Sequence, residues 1–484
     1  MIEIDEAYVD SAAPNAAAIK NGRGLVLKGK LVQLHKSEED DLLFGECKGS
    51  GKSNYQTSCD FSQPDKPVFR CSCPSRQFPC KHGLGLLYAY AQGKTFTVAD
   101  VPEDLTAKRD KAAQRVEKKK VEAEKPRTVN KAALGKKIKA QLGGLDLLEK
   151  LTHDLVRTGM ANTTVKTASQ IEEQAKQLGN AYLPGAQAAL LNYTKLFTGE
   201  DGRFDNETDP TQREAIYSEA LDQLSRLHAI IRKGRTYLET RLQDPELAPE
   251  TDTAIAAWLG HAWQLRELAD AGLVEKDAEL VQLAFNSYDD VARKEFVDTG
   301  IWINLASGKI EITQNFRPYK AAKHIRSEDS FFEVAQIAEL YVYPGSVNPR
   351  IRWDAMRQRP LKPADLAAMR KLAHADFPKL IKEVKGNLKG PLADKCPVYL
   401  VQYAKLGMID DQLVIEDKKG ERLVLADSTV MEEPASCYLL GLLPPALHKN
   451  QLMAVRFHQD LDHGLLRIKP LSVVTDDSIV RLTL

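Results

Sequence analysis

The chain has 484 residues, 43% of them hydrophobic and 28% charged, which is the composition of a globular protein too long for a single ordinary core. Lysine plus arginine and aspartate plus glutamate number 67 each, so the net charge is zero and no global polyanion-binding or acidic class is indicated. No run of about 18 apolar residues is present, and the acidic start Met1 to Glu6 lacks the basic-then-apolar order of an export signal. A cytoplasmic protein without a membrane span is expected, and its seven cysteines do not read as a disulfide framework.

Residues 1 to 22 have little patterning and read as a lead-in or short helix. From Gly24 to Phe61 short extended stretches follow: Leu25 and Leu27 leading into Leu31 to Leu34, then Leu42 to Cys47, then Tyr55 to Phe61. Val68 to Cys71 is a fourth, and His82 to Ala91 switches to helical period with Leu84, Leu87, Tyr88 and Ala91 on one face. The result is a small ββα module of about 70 residues.

Within it, Cys71, Cys73, Cys80 and His82 fall in twelve residues at a strand-to-helix switch, with Pro74 directly after the first pair and Pro79 directly before the second. Three thiolates and one imidazole are the soft and borderline donors that Zn2+ takes in a tetrahedron. Such a set leaves no open coordination position, so a structural zinc site is expected. The other two cysteines of the module, Cys47 and Cys59, lie on strand patterns and read as small core residues.

Between Lys108 and Lys139 thirteen lysines and arginines face four acidic residues, a basic helical linker with no aromatic for base stacking. Nucleic acid is a candidate partner for it, and a solvated linker is the alternative. Helical patterning then runs to about residue 295. Its best case starts at Asp209 and Pro210 and carries Ile216, Ala220, Leu224, Leu227 and Ile231 on one face. A further apolar-rich helix is expected over Ile255 to Leu265. After Thr299 three hairpins are predicted: Ile301 to Thr313 across Ser307 to Lys309, Leu413 to Leu425 across Gly420, and Leu452 to Ile468. Helix is expected from Ala364 to Val384, and one sheet could hold all three hairpins. The fold class expected is multidomain α+β: a zinc-stapled N-terminal module (1–102), a basic helical linker (103–140), a helical domain (141–298) and a C-terminal α+β domain (299–484).

Other signals give way to plainer readings. Gly49 to Ser53 (Gly-Ser-Gly-Lys-Ser) lacks the first glycine of a phosphate loop, since Glu46 stands there, and a strand pattern follows where a helix is required. A hairpin turn accounts for it. His458 to His463 holds two histidines and two aspartates but sits between two strand patterns, which is a polar loop. His153 and Asp154 are adjacent on a helix and point to different faces. Cys396 and Cys437 have no signature around them, and no enzyme activity is expected.

The cysteine–histidine string resembles the SWIM zinc finger, C-x-C, six residues, C-x-H. The longer stretch from Gly45 through Tyr55 and Phe69 to Leu87 is similar to a bacterial SWIM-containing family. Weaker similarity at Asp154 to Gly159, Gln174 to Ala186 and Glu339 to Pro344 extends the resemblance over most of the chain. That resemblance implies zinc binding, and a role as a protein-interaction adaptor or scaffold beside a MoxR-type AAA ATPase and a von Willebrand factor A (VWA) protein. Its alternative is nucleic-acid binding through the zinc module and basic linker.

Overall fold

The computed structural model describes residues 4–49, 53–62, 67–75, 79–111, 131–163, 165–197, 210–244, 246, 249–322, 325, 327–427, 433–460 and 463–483. The fold is multidomain α+β, and the chain divides into two compact units, Met1–Thr128 and Val129–Leu484.

In the first unit, helices α1 (Glu6–Ala12) and α2 (Ala16–Leu27) precede strands β1 (Leu31–Lys36), β2 (Leu42–Cys47), β3 (Tyr55–Asp60) and β4 (Val68–Cys71). Helix α3 (Lys81–Ala91) and the short strand β5 (Thr97–Val98) complete it. The sheet order is β4-β3-β2-β1-β5, antiparallel except for the parallel β1–β5 pair. Leu25 and Leu27, read from sequence as extended, belong to α2. Asn15 caps that helix by accepting from the Ala18 N–H at 2.9 Å, and alanines start it. Two glycines let α2 and α3 approach closely. A Cβ at Gly22 would lie 2.9 Å from Leu84 Cβ, and one at Gly85 would lie 3.4 Å from Leu25. Leu43, Cys59, Leu84, Leu87 and Tyr88 form the sealed core beneath.

The second unit opens with helices α4 (Lys131–Thr158), α5 (Val165–Asn180), α6 (Pro184–Lys195) and α7 (Pro210–Gln243), with short α8 (Ile255–Trp258) and α9 (Leu265–Asp270). They share a core of Leu145, Leu148, Leu190, Tyr193, Leu227 and Ile230. The single helix expected over 255–265 is broken at Gly260. Its φ of +90° is left-handed, and a Cβ there would strike Pro184 at 2.3 Å.

Helical structure ends earlier than the sequence suggests. Val274–Asp290 is a strand, β6, paired on both sides with β7 (Glu295–Asn304) and β9 (Val334–Val342). A central strand buried on both faces, with a bulge between Gln282 and Ala284, loses the alternation that marks a strand in sequence. Its sheet runs β10-β9-β6-β7-β8, where β8 is Ile310–Pro318 and β10 is Ile351–Arg352; β11 (Arg357–Arg359) pairs β9. The sheet curls until Ile312 bridges Arg350.

The helix expected over 364–384 is two, α10 (Pro363–Leu372) and α11 (Phe377–Leu388), because Asp376 caps a new start by accepting from the Lys379 N–H. All three predicted hairpins form, in two sheets. β7–β8 lies in the sheet just described. The other two lie in a sheet made of β12 (Val398–Ile409), β13 (Gln412–Glu416), β14 (Arg422–Leu425), β15 (Lys449–Asp460), β16 (Leu465–Val474) and β17 (Ile479–Arg481). Here β12 pairs β13 and β15, β13 pairs β14, β15 pairs β16, and β14 pairs β16 in parallel, so five strands close into a ring. That connectivity is a five-stranded Greek-key barrel of the OB type. Tyr399, Val401 and Tyr403 point into the ring beneath α11. Val398 and Leu400 point out, against Val281, Ile301 and Ile303 of the first sheet.

Candidate metal centre

The end of β4 delivers the first donor. Cys71 pairs in register with Thr57 of β3, and the next residue is tied down twice: Ser72 N–H donates to Gln56 O at 2.9 Å, and Gln56 N–H to Ser72 Oγ at 2.9 Å. The chain bends there, which turns Cys73 back toward Cys71. Cys80 is the N-cap of α3, and His82 lies in that helix's first turn, buried against the Tyr55 ring at a centroid distance of 4.9 Å.

The four donor atoms lie within 4.8 Å of one another. His82 Nδ1 is 3.7 Å from Cys71 Sγ and 3.8 Å from Cys80 Sγ. Ligand bonds of about 2.3 Å to sulfur and about 2.0 Å to nitrogen, at tetrahedral angles, require S···N separations of about 3.6 Å. The donors therefore fit Zn2+ in number, type and spacing, and with all four positions filled the ion is structural. Among the described residues this is the one group of cysteines, histidines and carboxylates that fits a metal ion.

The electrostatics suit a cation. The Cys71 thiol donates to Cys80, and that bond, opposed by burial and helped by the backbone N–H groups of Gly83 and His82, draws Cys80 far below the ordinary thiol range. The same bond pushes Cys71 up. A dication replaces the shared proton and satisfies both sulfurs.

Cys47 and Cys59 are buried outside this group, and burial raises both thiols; Cys59 Sγ donates to Gly83 O at 3.7 Å. The glycine-loop turn falls partly on residues 50–52, outside the described residues, but Tyr55–Asp60 after it is a strand. His458 and Asp460 belong to β15 and not to a loop, because the strand runs on past the expected turn; Asp460 pairs Arg467 and His463, each at 2.9 Å. His153 is exposed on α4, and Cys396 is buried. Of the basic linker, Lys118, Lys119 and Lys120 lie outside the described residues, while Lys136, Lys137 and Lys139 lie on α4.

Two features beside the centre have no signature in the sequence. Arg109, in helical residues 103–111, forks onto buried Asp60 of β3 at 2.8 and 3.0 Å and reaches Asp41 at 3.0 Å. The second is a cleft of about 590 Å3 over the donors, lined by Tyr55, Lys30, Lys48 and Lys81. None of these lysines has an ion pair among the described residues. The members of both sets come from distant parts of the chain, so no local spacing announces them.

The SWIM zinc finger family model matches residues 65–91, which contain all four donors. No curated protein matches the chain. Among solved structures, a chain from "Structure of murine DNA binding protein bound with ds DNA" covers 43% of this chain and 96% of its own length at 7% identity, with a TM-score of 0.19. A likeness that low carries no argument about fold or ligand. No described helix is long and apolar enough to cross a membrane.

Proposed function

We propose that this chain is a non-catalytic adaptor whose zinc-stapled N-terminal unit presents a fixed interaction surface, working with a MoxR-type AAA ATPase and a VWA protein. The observation that carries the reading is the closed donor set: four ligands within 4.8 Å leave the metal no position for a substrate. The ATPase and VWA partners rest on the sequence resemblance alone. Tagged full-length chain, co-expressed with those two proteins from the same genome, should retain them through purification. A Cys71→Ser, Cys80→Ser double variant should lose them together with its zinc. Absence of both partners at micromolar concentration would defeat the partner assignment.

Nucleic-acid binding is the second reading, favoured by Tyr55 and the three lysines around the cleft. The barrel adds little to it, since Lys405 and Arg422 beside its β13–β14 pair both engage Glu416 at 3.3 Å. Generic single-stranded DNA binding near physiological salt, weakening by about 0.7 log units per phosphate contact for each tenfold rise in salt, would make it the better reading.

A further inference from the structure

In the second unit a groove of about 1430 Å3 runs along α7. Small-molecule pockets typically measure about 300–1,000 Å3. The residues of α7 that line this groove run from Leu221 to Arg241, about 30 Å of helix at 1.5 Å per residue. Its length and half-open form suit a polypeptide segment better than a metabolite.

One wall is helical, from α7 with His153 and Val156 of α4; the other is made by the chain at 249–255 and 390–393. The second wall is fixed in place. Gly345, at φ +88°, lets its loop sit where a Cβ would be 2.2 Å from Ala254 N, and Trp258 Nε1 donates to Leu392 O at 3.0 Å. The groove is therefore preformed, and it leaves two large apolar side chains in solvent, Val156 at 61% and Leu221 at 58% exposure.

The walls differ in charge. Exposed Arg232 and Lys233 stand on the α7 side with His153 and His228, and Glu250 and Asp252 line the loop side. Farther along, Arg241 of α7 and Asp244 just beyond its end also line the groove. No ion pair joins Arg232 or Lys233 to Glu250 or Asp252 among the described residues. An occupant between them can satisfy both.

We propose that this groove docks an amphipathic helix of a partner protein, with an apolar stripe seated on Val156 and Leu221. One flank of the stripe carries carboxylates toward Arg232 and Lys233, and the other carries lysine or arginine toward Glu250 and Asp252. The inference rests on the adaptor reading only in requiring a protein partner. Failure of the ATPase and VWA co-purification would leave it standing.

The test uses full-length protein and three fluorescein-labelled 18-residue helical peptides that share one leucine stripe. Their flanks are Glu on one side and Lys on the other, Glu on both, or Lys on both. Anisotropy should rank the mixed peptide first by about tenfold, since each like-charge flank forfeits one wall. In an Arg232→Glu, Lys233→Glu variant, exposed positions that leave folding intact by circular dichroism, the all-Lys peptide should overtake the mixed one. Leu221→Glu should weaken all three. Equal affinities, no binding up to millimolar peptide, or an unchanged ranking in the double variant would overturn the proposal. So would a concentration-dependent dimer of the unmodified chain that Leu221→Glu abolishes, because the groove would then belong to a second copy.

Discussion

Glu311, on β8 opposite Trp302, is fully buried, and among the described residues neither of its carboxylate oxygens has a well-formed hydrogen bond. Burial, reinforced by the nearby charge of Glu275, raises its pKa from 4.5 to about 7. A carboxyl whose folded pKa is raised contributes stability below its unfolded value, and that contribution is lost as pH rises through about 7. Between pH 5 and pH 8 the second unit should therefore lose up to about 3 kcal/mol on this account, at about 1.4 kcal/mol for each tenfold difference in proton affinity between the folded and unfolded chain. Glu311→Gln should flatten the fall of melting temperature over that range, leaving the variant the more stable form at pH 8. Parallel thermal melts at the two pH values check it, and an unchanged pH dependence would show that Glu311 finds a partner in solution. The sequence carries no hint of this residue, since a glutamate in a strand reads as a solvent-facing position. The four metal donors, by contrast, were legible because all of them fall between positions 71 and 82 of the chain.

Among elements, Arg109 ties helical residues 103–111 to the sheet. Burial alone would raise Asp60, but the hydrogen bonds from Arg109 overcome it and hold the carboxyl at about 2. A depressed carboxyl contributes stability above its unfolded value of 3.8 that is lost as pH falls toward about 2. Arg109→Ala leaves Asp60 with Arg70 at 3.3 Å, should cost about 3 kcal/mol, and should start acid unfolding of the first unit at a higher pH. Hydrogen exchange should show amides of 103–111 losing protection while zinc content stays at one per chain. Protection unchanged from the parent would mean that other contacts hold the helix. Such a clamp is invisible in sequence because its partners lie 49 positions apart. The hairpins were legible for the opposite reason: their turns are local, and Gly308, Gly420 and Gly464 supply the positive φ the chain reversals need. β6 was missed because its second face is buried by partners that only the assembled sheet provides, and the break at Gly260 because it answers to Pro184 on another helix.

At the scale of the whole molecule, the two units are stabilised by different means. The second encloses extended cores within curled sheets and helices. The first has a small core and a metal centre at the junction of β4 and α3. Calorimetry of the full chain should give a low-temperature transition that a zinc chelator abolishes, together with a second that the chelator leaves within a degree or two. Loss of both transitions on chelation would mean that the units do not fold separately. Elemental analysis should find one zinc per chain, most of it gone in Cys80→Ser.

The start of α3 has a consequence of its own. Cys80 occupies the N-cap, and the first-turn amides of His82 and Gly83 face the same sulfur that is a donor to the metal, so one atom serves both the helix start and the ion. Loading the ion and beginning the helix are then one event, and the helix in turn closes the core over Leu43 and Cys59. A chain made under zinc starvation would carry a finished second half and an unstarted first half. Rising zinc would complete it in an all-or-none step, so the fraction of molecules competent in the first unit would follow the metal supply of the cell in which they were made.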